Sequence, residues 1–427
     1  MRKLILFLLI ASATFATPNY FISNPAALNL SNQPRTSLHF LTINPSIANN
    51  FLSLGTYTTN FYTDPDWDSL QKTTMLNDIP DNGYGLNADV LVAPFEYYSH
   101  LFSITLATRV LVSGTIPKSL FDLALFGNDI NRQYDLSGTA INSIGYADAA
   151  FGFCYPVINF SEESNVTNFL TLKRVNIGAR LHYQKGIIMT QTDSSYGYLL
   201  TTPSAILGRV GLVQTSTSLQ FDANNDFDLD ATLKSFTSGP NSFALDFGAT
   251  VELQKQLSAG FAILNLNTGF NWTNDPKQTV VEVNIDSLSL QRLLDVEEMD
   301  SIIHIDTSLF HTIAPFKTSI PPQILLHVSY QPIKMVTVST YYHQYFQKCK
   351  FIPDFTHALN LTVDYSPVRW FATGLSITTD LQKDFKIGNS LHLGIAGFGL
   401  NLFINQKNGF INSAKGFDFG LSFGLNW

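Results

Sequence analysis

The C-terminal stretch Phe417 to Trp427 constrains the fold more than any other part of the chain. Apolar side chains occupy every second position and small or polar side chains fill the positions between them, in the order FDFGLSFGLNW. Alternate side chains of a β-strand point to opposite faces, so one face of this strand is apolar throughout. Its length matches the ~9–11 residues of a tilted strand that crosses a bilayer, and membrane interfaces favour a terminal aromatic ring. The stretch predicts a membrane-spanning strand.

The same period-two pattern recurs in segments 174–184, 243–252 and 359–366. In each segment, apolar residues alternate with polar or charged ones, which indicates one apolar face and one polar face. If the apolar face contacts lipid, the polar face lines the lumen of a barrel. The predicted lumen-lining residues of these segments are Arg174, Arg180, His182, Asp246, Glu252 and Asp364.

A secreted soluble β-sandwich or lipocalin-like barrel would show the same alternation, so periodicity alone leaves two alternatives. Composition favours the membrane, because the chain has 427 residues of which only 14% are charged, 45% are hydrophobic and 13% are aromatic. In hydrocarbon every backbone N–H and C=O group needs a partner, and only a closed barrel has no open edge. We therefore predict an all-β, transmembrane antiparallel barrel. Its net charge of -8 argues against a nucleic-acid partner.

The N-terminus has the pattern of a secretory signal peptide. Arg2 and Lys3 precede the apolar run Leu4 to Ile10, and small residues follow, so cleavage after Ala13 or after Ala16 fits the pattern. We expect residues 1–16 to be the signal peptide and residues 17–427 to form one barrel domain in the outer membrane. Residues 17–34 are polar and lack strand periodicity, which predicts a periplasmic arm or a small plug.

Connections between the predicted strands alternate between short and long. Tight turns are expected near residues 254–257, 331–334 and 366–369, and a long connection at 272–322. Outer-membrane barrels have short periplasmic turns and long outer loops, so the pattern predicts about 14 strands, with 12 to 16 compatible with the boundaries. A strand kinked near Pro45 is expected over 36–61, and a polar loop over 62–82. Helices are expected at 117–127 and, within the longest loop, at 286–299.

No residue pattern makes a positive case for catalysis, a cofactor or a metal. The acidic run Asp222, Asn224, Asp226, Asp228 and Asp230 invites a calcium interpretation. The EF-hand pattern fails there, however, because Phe227 and Leu233 occupy the positions of the turn glycine and the closing glutamate. The sequence predicts a strand end with solvated carboxylates instead.

Three residues of the long connection and the two cysteines are not expected to form a metal site or a disulfide. His304, Asp306 and His311 are expected in the long loop, where solvation explains them better than metal binding does. Cys154 and Cys349 could pair in an oxidising periplasm, but two unlinked, partly buried strand cysteines are favoured. The chain is therefore not expected to be an enzyme.

Several pieces of the sequence resemble known outer-membrane barrels. The export signal, Asn24-Pro25-Ala26, the paired strands and the terminal FGLNW strand resemble the long-chain fatty acid transporter (FadL-like) and PorV-like barrels. A closer resemblance is to an uncharacterised family of this kind, a domain of unknown function found in Gram-negative-type envelopes. That resemblance runs over nearly the whole mature chain and is carried by PKSLFDLALFGN (117–128), YADAAFGF (146–153), NIGARLHYQKG (176–186), FALDFGATVEL (243–253), TSIPPQILLHVSY (318–330) and KGFDFGLSFGLNW (415–427).

The resemblance implies a barrel with a partly plugged lumen and brings no catalytic residues. It implies passive transport of small, hydrophobic molecules as the leading function. The alternative it implies is a non-enzymatic scaffold that holds a secreted protein or supports envelope assembly, as PorV-like barrels do. The partners expected on either interpretation are outer-membrane lipids and the barrel assembly machinery.

The terminal strand is expected to act as the assembly signal, through the residues Phe419, Leu421, Phe423, Leu425 and Trp427. Deleting Trp427, or replacing Phe423 and Trp427 with Asp, should cause periplasmic accumulation and degradation, because the apolar, aromatic end of the strand is lost. Cell fractionation and heat-modified gel mobility measure this outcome. Normal, heat-modifiable and membrane-inserted protein in these variants would refute the role assigned to the strand.

Overall fold

The computed structural model describes residues 24–30, 35–59, 67–160, 172–217, 237–253, 256–273, 276–288, 303–352, 356–368, 370–395 and 397–426. Three α-helices occur in this part of the chain: α1 (Leu54–Tyr57), α2 (Ser69–Asp78) and α3 (Lys118–Phe126). Short 3-10 helices cover Pro25–Asn29 and Ile411–Ser413. None of the helices within these ranges is long and apolar enough to span a membrane.

Strands make up most of the described chain. They are β1 (Thr36–Asn49), β2 (Tyr84–Ser99), β3 (Phe102–Ile116), β4 (Gln133–Asp135), β5 (Ala140–Asn159), β6 (Leu172–Thr201), β7 (Ile206–Thr217), β8 (Asn241–Leu253), β9 (Leu257–Leu266), β10 (Phe270–Trp272), β11 (Lys277–Leu288), β12 (Ile303–Thr312), β13 (Phe316–Thr318), β14 (Gln323–Ile333), β15 (Val336–Tyr345), β16 (His357–Val368), β17 (Phe371–Thr379), β18 (Phe385–Ile395), β19 (Phe398–Lys407) and β20 (Gly416–Asn426).

Fourteen of the described strands close into one antiparallel barrel. Following the ladder from β1, the order is β2, β3, β5, β6, β8, β9 and then β14 to β20 in sequence. The first and last strands complete the circuit, since Ser37 pairs with Asn426 and Ala48 with Gly416. The prediction of a transmembrane antiparallel barrel with about 14 strands is confirmed.

The two faces of the barrel wall differ as the alternation requires. On β8 the side chains of Phe243 and Phe247 are 54% and 48% exposed, whereas Ala244 and Asp246 between them are buried. The same pattern holds on β16, where Leu361 is exposed and Asn360 is buried. Large apolar residues thus point outward and polar residues point inward, which is the arrangement that lipid outside and a polar interior demand.

The two ends of the barrel are different. At one end, here called the turn end, five hairpins join their strands through two or three residues each: β2–β3, β8–β9, β14–β15, β16–β17 and β18–β19. Strand β1 begins and β20 ends at the same end, because Thr36 pairs with Ser99 and Ser37 with Asn426. The longer β5–β6 connection, residues 160–171, also lies at the turn end. The opposite end, the loop end, carries the other connections between barrel strands and all three α-helices of the described chain.

Strand β6 is 30 residues long and continues beyond the barrel at the loop end. Its first half pairs with β8 in the barrel, whereas residues 189–201 pair with β7. Strand β7 pairs with β11, and β11 pairs with β12, so a sheet extension projects from the barrel wall.

The long connection expected over 272–322, with a helix at 286–299, contains strands in the structure. Strands β11 to β13 lie within it, and β10 ends at its first residue. Residues 286–288 end β11 instead of starting a helix, and 289–299 lie outside the described residues. The stretch contains the alternating segment Val281-Glu282-Val283-Asn284-Ile285, which pairs with β7. Its partner strand is remote in sequence, so the pairing was not visible as a local hairpin.

Two further expectations near the loop end need correction. The strand expected over 36–61 ends at Asn49 and is followed by α1, and the polar loop expected over 62–82 contains α2. Asp68 caps α2 by accepting from the backbone N–H of Gln71, a local signal for a helix start. The helix expected at 117–127 is confirmed as α3, and it packs with α2 through Met75, Ile79 and Leu125.

A charge on the lipid-facing side should disrupt insertion. Leu361→Arg places a cation on the exposed face of β16, and an arginine near the bilayer midplane costs about 2–4 kcal/mol. Leu70→Arg, on the exposed face of α2 beyond the barrel, is the matched control. The denaturant midpoint of the barrel refolded in lipid should fall for Leu361→Arg only. An equal effect of both variants would contradict the orientation of the wall.

Candidate functional site

The interior of the barrel holds the N-terminal segment 24–30, here called the inner segment. Its residues from Asn24 to Leu30 are buried, and Pro25 begins a 3-10 helix that Asn24 caps by accepting from the N–H of Ala26 at 2.9 Å. Proline suits a first helical position because its ring presets the backbone angle φ. The inner segment therefore has a defined shape and packs against β5, β6 and β8.

Inward side chains hold the backbone of the inner segment. The hydroxyl of Thr250 donates to the carbonyl of Ala26 at 3.0 Å, and the Nη1 group of Arg174 donates to the carbonyl of Asn29 at 2.7 Å. The side-chain amide of Asn176 donates to Thr250 Oγ1 at 3.1 Å. The first two bonds satisfy carbonyl groups of the short helix, and the third holds the Thr250 hydroxyl in place.

Two glycines on the wall make room for the inner segment. A Cβ atom at Gly248 would lie 2.0 Å from Asn24 Oδ1, and one at Gly178 would lie 2.4 Å from the backbone nitrogen of Ala26. Gly178 and Gly248 are direct partners across the β6–β8 ladder. The two missing side chains create one depression, which a larger residue at either position would fill.

A cluster of charges lies next to the inner segment, toward the loop end. The ring of His182 bridges two carboxylates: Nδ1 is 2.9 Å from Asp148 Oδ2, and Nε2 is 2.9 Å from Asp246 Oδ2. Arg180 Nε lies 3.2 Å from the same oxygen of Asp246, and the backbone N–H of Asn265 donates to Asp246 Oδ1 at 2.8 Å. A doubly protonated histidine ring satisfies both carboxylates with one hydrogen bond each.

Further ion pairs line the inner face. The guanidinium of Arg109 forms two hydrogen bonds with Asp89, of 3.0 and 2.7 Å, and Lys386 Nζ lies 3.0 Å from Asp418 Oδ2. Burying a charge without a partner costs free energy, and pairing with an opposite charge offsets that cost for these residues.

The structure places each predicted lumen-lining residue as follows. Arg180, His182 and Asp246 form one cluster, Arg174 holds the inner segment, and Glu252 pairs with Lys173 Nζ at 3.2 Å. Asp364 faces inward on the opposite part of the wall, away from the cluster. Their role in passage stays a prediction.

The loop end of the interior contains an apolar cluster that sequence reasoning missed. Phe270 and Trp272 of β10 and Phe351 of the β15–β16 connection pack on inward residues of the wall, among them Leu111 and Ile144. The indole N–H of Trp272 donates to Thr318 Oγ1 at 2.8 Å. The available signal was the inward parity of Leu111 and Ile144, which are apolar where the neighbouring inward positions are polar.

The remaining sequence candidates fall into three groups. The acidic run at 222–230 and Trp427 lie outside the described residues. His304, Asp306 and His311 belong to β12, so their expected loop position was wrong. Cys154 and Cys349 are both free, and only Cys154 lies on a strand. Within the described ranges, no group of three or more His, Cys, Asp or Glu side chains could hold a metal ion.

Glu282 and Cys349 are two of the groups beyond the barrel wall whose pKa values are shifted. Hydrogen bonds from Arg209, Tyr196 and Asn284 lower the pKa of Glu282, on the sheet extension, to about 2. Burial raises the pKa of the Cys349 thiol, in the β15–β16 connection. Glu282 therefore keeps its negative charge at neutral pH, and the Cys349 thiol is a weak nucleophile there.

The terminal strand closes the wall with aromatic contacts on its lipid-facing side. The ring of Phe423 stacks on Phe398 of β19 with centroids 5.9 Å apart, and it lies 6.2 Å from the ring of Phe40 of β1. Phe423 and Phe419 are both exposed. The seam between the first and last strands thus has cross-strand aromatic pairs in addition to backbone hydrogen bonds.

Comparison with known proteins gives a family and a set of distant structural similarities. A model of a family of unknown function, DUF5723, matches residues 25–405. No curated protein matches the sequence. A FadL homologue from Pseudomonas aeruginosa is similar over 94% of this chain and 92% of its own, with 11% identity and a TM-score of 0.45. The toluene transporter TodX of P. putida is similar over 97% and 95%, with 10% identity and a TM-score of 0.44.

The fit of the inner segment can be tested through Cys154, whose thiol lies 3.4 Å from the carbonyl of Ala26. In a Cys349→Ser background, Gly248→Val should displace the inner segment and speed maleimide labelling of Cys154 by about tenfold, because local opening governs access to buried groups. Gly114→Ala is the control, since its new Cβ would meet only ordinary contacts of 3.6 Å or more. Equal labelling rates in folded barrels would show that the inner segment does not cover the thiol.

Proposed function

This chain belongs to the DUF5723 family of unknown function, and we propose that it is an outer-membrane transport barrel for the passive passage of small molecules. The observation that carries the proposal is the polar, charged inner face enclosed by an apolar outer wall. A barrel that served only as an anchor could fill its interior with apolar side chains, as small barrels do. A wall lined by ion pairs and amides favours a hydrated passage.

The ends of the barrel support an orientation. Short turns are periplasmic in outer-membrane barrels and long loops face outward, so we assign the turn end to the periplasm. The inner segment then partly plugs the lumen on the periplasmic side, and the apolar cluster of Phe270, Trp272 and Phe351 narrows its outer mouth. The resemblance to FadL-like barrels and this apolar mouth favour small hydrophobic molecules as the first solutes to test. We assign the chain no enzymatic activity.

Liposome swelling and planar-bilayer conductance test the proposal directly. Purified protein should conduct ions and admit small solutes, and a variant without residues 24–30 should conduct more, because the inner segment occupies part of the lumen. Uptake of a small aromatic hydrocarbon tests the hydrophobic class. Liposomes with heat-unfolded protein are the control. A folded barrel that shows neither conductance nor uptake, with or without the inner segment, would overturn the proposal.

A second function, that of a scaffold for a secreted protein or for envelope assembly, is favoured by one observation. The sheet extension of β7, β11 and β12 builds a structured surface beyond the barrel, held by the pairing of Arg209 with Glu282 at 3.0 Å. A barrel needs no such surface for passage alone. Crosslinking in cells should then capture one stoichiometric partner, and removal of residues 277–312 should release it. An intact barrel that captures no such partner argues against this function.

A further inference from the structure

Asp364 differs from the other inward carboxylates in its surroundings. It lies on β16, in register with Thr337 of β15 and Gly374 of β17, and its polar neighbours Asn360 and Thr362 mark the inward parity of the strand. In the described part of the chain its carboxylate has neither an ion pair nor a hydrogen bond. Other inward carboxylates have basic side chains as partners, among them Asp89, Glu96, Asp148, Asp246, Glu252 and Asp418.

Gly374 lets the carboxylate lie flat against the wall. A Cβ atom at Gly374 would be only 2.3 Å from Asp364 Oδ1, so the carboxylate occupies the space that a side chain would take. The same Cβ position would be 3.0 Å from Ser390 Oγ, which reaches it from β18 on the other side of the glycine. Two oxygen atoms from different strands thus converge over one glycine.

Ser390 is a second, independent sign of an unfilled polar site. Its side chain is fully buried, and its hydroxyl has no hydrogen-bond partner among the described residues. A buried hydroxyl without a partner costs free energy, which a ligand at this point would recover. The hydroxyl oxygen and the carboxylate are both acceptors, and acceptors of this kind suit a cation.

Most of the wall around the site is uncharged. On β15 to β18 the nearby inward positions Thr337, Thr362, Ser376 and Gly388 are neutral. Two titratable residues share the inward face of β18 with Ser390: His392, whose Nδ1 lies 2.7 Å from Asn401 Oδ1, and Lys386, which pairs with Asp418. The Thr362 hydroxyl already donates to Asn360 Oδ1 at 2.7 Å. The inner segment packs on the other side of the interior, against β5, β6 and β8. Asp364 therefore faces the part of the lumen that the inner segment leaves uncovered.

We propose that Asp364 and Ser390 form a binding point for one positive charge on a solute crossing the lumen, either an alkali metal ion or the protonated amine of a small molecule. The proposal rests on the proposed transport function and adds a solute class to it. One carboxylate and one hydroxyl bind a cation weakly. Weak binding is what passage requires, because a solute must enter the site and also leave it.

Ion selectivity in planar bilayers at pH 8 tests the proposal for inorganic cations. From the reversal potential in a KCl gradient, Asp364→Asn should lower the permeability ratio of potassium to chloride by about threefold, since a ring or point of negative charge in a pore favours cations. Asp81→Asn removes the same charge from an exposed loop at the loop end and should leave the ratio unchanged. Ser390→Ala should lower the ratio less, and Ser376→Ala, on the same wall, should not change it.

Liposome swelling distinguishes the two sources of positive charge. Glucosamine and glucose have nearly the same size and differ in one amine, so the ratio of their rates measures recognition of that amine. An effect of Asp364→Asn on this ratio assigns the site to amines, and an effect on the potassium ratio alone assigns it to inorganic cations. Either effect supports the binding point.

Gly374→Ala keeps the charge of Asp364 but displaces its carboxylate, because the new Cβ would lie only 2.3 Å from Asp364 Oδ1. It should lower the same ratio as Asp364→Asn, and heat-modified gel mobility verifies that each variant folds. Unchanged ratios in conducting Asp364→Asn and Gly374→Ala barrels would overturn the binding point and leave the transport function standing. A folded wild-type barrel that does not conduct would contradict the proposed transport function, and with it the binding point that rests on that function.

Discussion

Backbone hydrogen bonding in a medium without water is the constraint on which this structure depends. Each N–H and C=O group within the hydrocarbon layer needs a partner from the protein, so a sheet that crosses the bilayer has to close. Closure joins β1 to β20, which are nearly the whole described chain apart in sequence. β1 begins and β20 ends at the turn end, so the number of strands in the barrel is even.

Closure also determines what the interior contains. Side chains alternate between the two faces, so an apolar outer face requires that the intervening residues fill or line the interior. In this chain those residues include charges, and partners on neighbouring strands compensate them, as Asp246 compensates Arg180 and His182. Gly178 and Gly248 leave space on one side for the inner segment, whereas Gly374 on the other side leaves space for the carboxylate of Asp364. The glycines of the wall therefore shape the interior together with the inward side chains.

Much of the fold was predictable from local patterns, and the misses share a cause. The barrel class, the strand number and helix α3 depend on periodicity and on turn signals, which a sequence shows directly. Strands β10 to β13 and the sheet extension were missed because their partners lie far away in the chain, as with Lys277 and Ser216. The apolar cluster at the loop end was missed for the same reason, since Phe351 reaches Leu111 and Ile144 only after the barrel has closed.

The sequence by itself determined that the chain alternates with period two and that its faces differ in polarity, because both properties arise from the geometry of a single strand. Only the tertiary structure decided which inward groups meet. His182 lies between Asp148 and Asp246, and the inner segment lies against Gly248, because the register of neighbouring strands sets these contacts. Asp364 shows the same division: its inward direction follows from alternation, whereas its lack of a charged partner follows from which strands stand beside it.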